Sequence, residues 1–120
     1  NKRCYCSAEE RVKMIASVYQ SEPRVRVLCW GGAIVDLLRK ENTPFYVRGI
    51  RNYRDFDYET ADFYASRKLD PEMITLYLPA EQEHLHISST LVKNSIAFEK
   101  PFKDYLPKAV YDYITEKKDV

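Results

Sequence analysis

Helical patterns alternate along this chain with short apolar runs, and this alternation constrains the fold more than any other feature. Strands are predicted at residues 25–29, 44–47 and 73–79. Helices are predicted at residues 8–20, 33–41, 55–69, 88–98 and 107–118. Short buried strands between helices are typical of parallel sheets that carry helices on their faces. We therefore predict an α/β fold with a Rossmann-like parallel sheet and helices on both faces.

Local signals fix several ends of these elements. Ser7 and Glu10 have the spacing of a capping box, which predicts the start of the first helix. The pair Asp70-Pro71 interrupts the third helix, because proline cannot continue it. Pro107 is favourable as the first residue of the last helix. The chain thus reads as one continuous succession of elements without a linker.

Composition narrows the classes of function. A chain of 120 residues suits one domain with a modest core. Nineteen basic and 18 acidic residues give a net charge of +1, which gives no reason to expect binding to nucleic acid or to a membrane surface. The cysteines are odd in number and lack the spacing of a metal site, so we expect reduced thiols and a cytoplasmic protein.

The segment YVRGIRNYRDFDYE concentrates charge at the end of a predicted strand. Arg48 and Arg51 flank Gly49, and each guanidinium offers a planar set of donors that matches phosphate oxygens. Gly49 would let the backbone approach a ligand closely. Ligands of open parallel sheets bind beyond the carboxyl ends of the strands. An incidental charged surface is the alternative interpretation, but the position favours an anion site.

Acidic residues follow at Asp55, Asp57 and Glu59. We expect them in or beside the first turn of the next helix, where the helix dipole favours negative charge. Their role is therefore partly structural.

The segment HISSTLVK places three hydroxyl residues, Ser88, Ser89 and Thr90, before an apolar helix. Free backbone N–H groups at a helix start and these hydroxyls would together form a cradle for an anion. Simple capping would need only one of the three. The nearby arginine segment favours phosphate binding, but both interpretations stay open from the residues alone.

His84 and His86 are the only histidines, and on an extended segment both rings would point to one face. This spacing is compatible with a metal site. No cysteine or carboxylate completes a ligand set, so contact with a base or a ribose, or a simple surface position, is favoured and no metal-ligating residue is predicted.

The motifs VRGIRNYRDFDYE, RKLDPEMITLYLP and HISSTLVK together resemble bacterial phosphopantetheine adenylyltransferases. That family has R-G-L-R leading into D-F-E-Y-E, and later I-S-S-S/T-x-x-K after a strand. SAEERVKMI is also similar to its S-x-E-E-R helix start. The resemblance spans nearly all of the chain in the order of the family, and the combination is specific where each motif alone is not.

The resemblance implies an enzyme of the nucleotidyltransferase α/β-phosphodiesterase superfamily in coenzyme A biosynthesis. It would transfer the adenylyl group of ATP to 4′-phosphopantetheine, giving dephospho-coenzyme A and pyrophosphate. Arg48, Ala33 and Ile34 would bind phosphopantetheine, and Lys2 would bind the reacting phosphates. The residues implied for ATP are Gly49, Ile50, Arg51, Glu59, His84, Leu85, His86, Ile87, Ser88, Ser89 and Thr90. Arg51 and Lys2 would be the catalytic residues.

The implied chemistry needs charge neutralisation rather than a strong base, because the attacking phosphate is already an anion. The arginines, the lysine, the segment HISST of residues 86–90, called here the serine turn, and Mg²⁺ arriving with ATP would supply it. The family also implies a homohexamer, which the ten tyrosines suit, and binding of the product or of coenzyme A.

The chain departs from the family at two places. No H-x-G-H turn occurs, which implies that residues 1–120 are a single adenylyltransferase domain missing its N-terminal βα unit. The turn before ISS reads HLH, where the family has an aromatic residue, serine and phenylalanine. A catalytically silent module that binds nucleotide or coenzyme A, or serves in assembly, is therefore an alternative. A related cytidylyl- or nicotinamide-nucleotide enzyme is another, which the R-G-I-R run disfavours.

Overall fold

The computed structural model of the protein describes residues 5–118, which form two compact units. Residues 30–86 make one unit, and residues 5–29 with 87–118 make the other. The described elements are α1 (Ala8–Val18), α2 (Ile34–Lys40), β1 (Phe45–Ile50), α3 (Tyr53–Leu69), β2 (Ile74–Pro79), α4 (Ser89–Ala97) and α5 (Lys108–Lys118). Short 3₁₀ turns lie at Gln82–His84 and Lys103–Tyr105.

The predicted α/β class and Rossmann-like parallel sheet are confirmed. None of the helices within residues 5–118 is long and apolar enough to cross a membrane.

In the unit of residues 30–86, β1 and β2 form a parallel pair joined by α3. Phe45 lies opposite Ile74, and the register continues to Ile50 opposite Pro79. Alternate side chains point to opposite faces of the sheet. Those of Phe45 and Ile74 lie on the face that is partly exposed. Because the two strands are parallel and in register, their carboxyl ends lie at the same edge of the sheet.

The core of this unit lies between the sheet and its helices. Val35 and Leu38 of α2 pack with Met73, which precedes β2, and all are buried. Tyr46 of β1 and Phe63 of α3 pack against this cluster. Helical spacing in α2 and alternation in β1 thus point apolar side chains toward one another, which packs β1 and α3 against this core.

The other unit is helical in its described part. α1 packs on α5, and Cys6, Met14 and Ile114 form its buried core. Lys117 Nζ donates to Glu10 Oε2 at 2.8 Å, which joins α5 to α1. This hydrogen bond and that from the Ser7 backbone hold the pKa of Glu10 below its usual range. The core brings together residues from both ends of the sequence.

The predicted strand at residues 25–29 is wrong. These residues adopt no regular secondary structure, and the two strands within residues 5–118 pair with each other. Val25 and Leu28 are 38% and 47% exposed, which is also untypical of a buried strand. Alternating apolar residues create a strand only when a neighbouring strand accepts their backbone hydrogen bonds.

The capping box predicted for α1 is confirmed. Ser7 Oγ accepts from the Glu10 N–H at 3.1 Å, and Glu10 Oε2 accepts from the Ser7 N–H at 2.8 Å. We expect Ser7→Ala to lower the free energy of unfolding by about 1 kcal/mol, because an N–H at the helix start loses its acceptor. Urea denaturation measures this change. Ser21→Ala, outside the helices, is the matched control, and equal effects of the two substitutions would contradict the capping role.

Candidate functional site

The arginine segment lies at the carboxyl end of β1, as the sequence predicts. Arg48 is opposite Tyr77 of β2 and Gly49 is opposite Leu78. The Ala80 N–H donates to the Ile50 carbonyl at 2.8 Å and extends the ladder by one bond. A Cβ atom added to Gly49 would meet nothing within 4 Å, so internal packing does not require the glycine. This open space leaves room for a ligand near the backbone.

Arg48 is held by two neighbours. Its Nη2 donates to Glu59 Oε1 at 2.5 Å, and its guanidinium lies 5.3 Å from the centroid of the Tyr46 ring. The hydrogen bond to Glu59 holds the pKa of Arg48 above its usual range. The Glu59 side chain is 8% exposed and that of Arg48 is 40% exposed, so the buried carboxylate has a charged partner that still reaches solvent.

A cavity of about 310 Å³ opens beside this ion pair. Ala33 and Ile34, at the start of α2, line it together with Arg48. These are the residues that the resemblance assigns to phosphopantetheine. Glu59, assigned to the nucleotide, lines the same cavity. The fold thus collects residues that are distant in the sequence around one polar space.

Sequence reasoning missed several residues of this cavity: Gly32, Tyr46, Tyr58, Asp62 and Ser66. A periodic signal for some of them was present. Glu59, Asp62 and Ser66 are separated by three and four residues, which places them on one face of α3. Tyr46 precedes Arg48 by two residues and shares its face of the strand. The sequence alone did not indicate that this face of α3 and this face of β1 line the same cavity.

Arg51 forms a second pair with an acid of α3. Its Nε donates to Asp55 Oδ2 at 3.0 Å, and its backbone N–H donates to the same oxygen at 3.0 Å. These bonds hold the pKa of Asp55 below its usual range. Asn52 caps the helix by accepting from the Asp55 N–H. Asp55 lies in the first turn of α3 as predicted, whereas Glu59 lies one turn later and is buried.

One hydroxyl of the serine turn caps a helix, and the other two are exposed. Ser88 is the N-cap of α4, and its Oγ accepts from the Leu91 N–H at 3.1 Å. Ser89 and Thr90 begin the helix and are exposed. Capping therefore uses one hydroxyl of the three. The other two are accessible to a ligand at the helix start.

The histidine segment is not extended, contrary to the prediction. His84 ends the 3₁₀ turn Gln82–His84, and His86 follows it before α4. The extended backbone that would point both rings to one face is therefore not present at residues 84–86. Within residues 5–118, no three side chains of histidine, cysteine, aspartate or glutamate are grouped to hold a metal ion.

Two parts of the predicted site stay predictions. Lys2 lies outside the described residues. The arginines and the histidines belong to the unit of residues 30–86, and residues 87–90 of the serine turn belong to the other unit. A single pocket formed by Arg51 and the serine turn is therefore still an expectation from the sequence.

Comparison with known proteins gives consistent results. The model of the cytidylyltransferase-like family matches residues 1–95. The chain is 33% identical over 111 residues to a phosphopantetheine adenylyltransferase of Leptospira biflexa, covering 92% of this chain and 69% of that protein. It is 36% identical over 110 residues to the enzyme of the same name from Bacteroides fragilis, covering 92% of this chain and 73% of that protein. The phosphopantetheine adenylyltransferase of Dictyoglomus thermophilum is 33% identical over 117 residues, with 98% and 69% covered.

Proposed function

The chain belongs to the phosphopantetheine adenylyltransferases of the cytidylyltransferase-like family, and from this premise we propose that it transfers the adenylyl group of ATP to 4′-phosphopantetheine. The products are dephospho-coenzyme A and pyrophosphate. One structural observation carries the proposal. Ala33, Ile34 and Arg48, which the resemblance assigns to phosphopantetheine, line one cavity at the carboxyl end of β1.

The reaction is a phosphoryl-type displacement without a covalent enzyme intermediate. A phosphate oxygen of 4′-phosphopantetheine attacks the α-phosphorus of ATP, and the bond from that phosphorus to the bridging oxygen of pyrophosphate breaks. The attacking oxygen is already anionic, so no general base is needed. The task of the protein is to hold two polyanions in line and to offset their repulsion.

The chain's own residues divide this task. Arg48 would bind the phosphorylated end of phosphopantetheine, while the cavity beside it holds the arm. Arg51 and the backbone of Gly49 and Ile50 would face the phosphates of ATP. The pairing of Arg51 with Asp55 orients its guanidinium before a ligand arrives, which reduces the entropy lost on binding. Lys2 and the segment of residues 84–90 would complete the ATP side.

Mg²⁺ is the expected companion of ATP in this reaction. Magnesium usually keeps several waters and binds through substrate phosphates with one or two carboxylates. Such an ion would enter with the nucleotide, so the reaction does not require a dedicated set of protein ligands. When bound, Mg²⁺ would neutralise phosphate charge beside the arginines.

Assembly and location are further parts of the proposal. We expect a homohexamer that binds the product or coenzyme A, without nucleic acid or membrane partners, in the cytoplasm. Cys29 carries a free thiol, which agrees with a reducing compartment. Size-exclusion chromatography with light scattering of the full-length protein would test the hexamer.

Ser89→Ala in the full-length protein should raise the KM for ATP by about tenfold, because a hydroxyl donor to a phosphate oxygen is lost. Ser88 already supplies the cap, so the free energy of unfolding should stay unchanged. Steady-state kinetics and urea denaturation measure the two effects.

Ser88→Ala is the counterpart for the stability measurement, because Ser88 supplies the helix cap. It should lower the free energy of unfolding by about 1 kcal/mol, as loss of an N-cap does. An unchanged KM for ATP in Ser89→Ala would remove Ser89 from the ATP site and leave the turn as an ordinary helix cap.

A further inference from the structure

Glu59 has contacts that differ from the role the resemblance gives it. The resemblance assigns this residue to the nucleotide. In the structure the residue is 7% exposed, and its Oε1 accepts from Arg48 Nη2 at 2.5 Å. The Tyr77 hydroxyl donates to the Glu59 backbone carbonyl at 3.4 Å and links this turn of α3 to β2. A carboxylate so buried offers little surface to a ligand and depends on its cationic partner.

The Arg48 side chain adopts a position that leaves one of its own hydrogen-bond donors unsatisfied. Its Nε is buried and has no hydrogen-bond partner within residues 5–118. A buried donor without an acceptor costs about 1–3 kcal/mol, and a long arginine side chain could avoid this cost by turning toward water. The contacts with Glu59 and with the Tyr46 ring are what oppose that movement.

The remaining donors of Arg48 are placed for a ligand. Guanidinium carries five N–H donors, and the bond to Glu59 uses only part of them. The Arg48 side chain is 40% exposed and lines the cavity shared with Ala33 and Ile34. Glu59 therefore holds one edge of the guanidinium while other donors stay accessible.

We propose that Glu59 is a positioning residue, which fixes the Arg48 guanidinium at the cavity and so determines affinity for phosphopantetheine rather than for ATP. The inference rests on the proposed function, because it takes phosphopantetheine as the ligand of Arg48. It assigns to Glu59 an effect on one substrate that passes through another side chain.

The test compares the affinities of the full-length protein for the two substrates. Isothermal titration calorimetry gives Kd for 4′-phosphopantetheine and, separately, for ATP with Mg²⁺. Glu59→Gln should raise Kd for 4′-phosphopantetheine by about tenfold, as expected for loss of a charge-assisted hydrogen bond that fixes the binding group. Kd for ATP should change by less than about twofold. A weaker affinity for ATP alone would overturn the proposal and favour a direct nucleotide contact.

A double-mutant cycle tests whether Glu59 acts through Arg48. In an Arg48→Ala background, Glu59→Gln should change Kd for 4′-phosphopantetheine by less than about twofold, because the group that it positions is absent. An equal effect of Glu59→Gln in both backgrounds would overturn the proposal.

Two further variants keep the result interpretable. Asp57→Asn makes the same change of charge at an exposed position of α3 and should leave both affinities unchanged. Glu59→Asp keeps the carboxylate on a shorter side chain, so its Kd for 4′-phosphopantetheine should lie between those of the wild type and Glu59→Gln. If Glu59→Gln does not fold, Glu59→Asp replaces it, and a raised Kd for ATP alone would then overturn the proposal. Wild-type protein that binds both substrates without forming pyrophosphate would refute the proposed function, whereas the split between the two affinities would still decide the role of Glu59.

Discussion

Replacing Arg51 with alanine in the full-length protein is expected to lower kcat for adenylyl transfer by about 10²- to 10³-fold, corresponding to about 2.7–4 kcal/mol of transition-state stabilisation. The physical reason is crowding of negative charge, which peaks when the attacking phosphate and the departing pyrophosphate share one phosphorus atom. Arg51 lies directly after β1 and is oriented by Asp55, with 3.0 Å between its Nε and Oδ2. Quantifying pyrophosphate release at saturating substrates measures the change.

Arg54→Ala is the matched control for this prediction. Arg54 is exposed, lies in the first turn of α3, and carries the same charge in the same segment. Its removal should change kcat by less than about twofold. The fold should survive Arg51→Ala as well, because an exposed pair such as that with Asp55 is worth less than about 1 kcal/mol. Retention of more than half of kcat in Arg51→Ala would refute the role given to this arginine.

The largest effect on stability is expected at Met73. This side chain is 1% exposed and packs with Val35 and Leu38 in the core of the unit of residues 30–86. Met73→Ala should lower the free energy of unfolding by about 2–5 kcal/mol, since the substitution removes buried methylene and thioether atoms and leaves a cavity. Urea denaturation followed by circular dichroism gives the value.

Leu69→Ala serves as the control for Met73→Ala. Leu69 is the last residue of α3 and is 62% exposed, so its truncation removes little buried surface. It should change the free energy of unfolding by less than about 0.5 kcal/mol. Similar losses at both positions would show that the core between α2 and β2 is not packed as described.

The sequence predicted local structure well where one signal decides it. The capping box of Ser7 and Glu10, the break at Asp70 and the cap at Ser88 depend on neighbours within a few residues, and the structure has all three. The strand predicted at residues 25–29 failed because a strand also needs a partner, which a local pattern does not contain.

In the candidate site, too, local signals were predicted and contacts between distant elements were not. The arginines were found because they follow a strand and flank a glycine. The hydrogen bond between Arg48 and Glu59 was not predicted, because it joins side chains from two different elements, β1 and α3. Residues such as Asp62 and Tyr46 had the right periodicity, yet periodicity alone does not separate a core face from the wall of a cavity.

The two pairs of arginine and acid in the charged segment are arranged in the same way. Asp55 and Glu59 are four residues apart on α3, and each holds one of the two arginines at the end of β1. The acids would thus serve the phosphate sites indirectly, by holding guanidiniums where two phosphorylated substrates are expected to meet. Neutral replacements of the two acids should therefore affect different substrates.

The most direct test of this account is the reaction itself. The full-length protein is incubated with Mg²⁺, ATP and 4′-phosphopantetheine, with CTP replacing ATP in a parallel sample, and both products are quantified. We predict dephospho-coenzyme A and pyrophosphate in equal amounts with ATP, and little product with CTP. Binding of both substrates without product, or turnover with CTP in place of ATP, would contradict the claim that this chain is an adenylyltransferase.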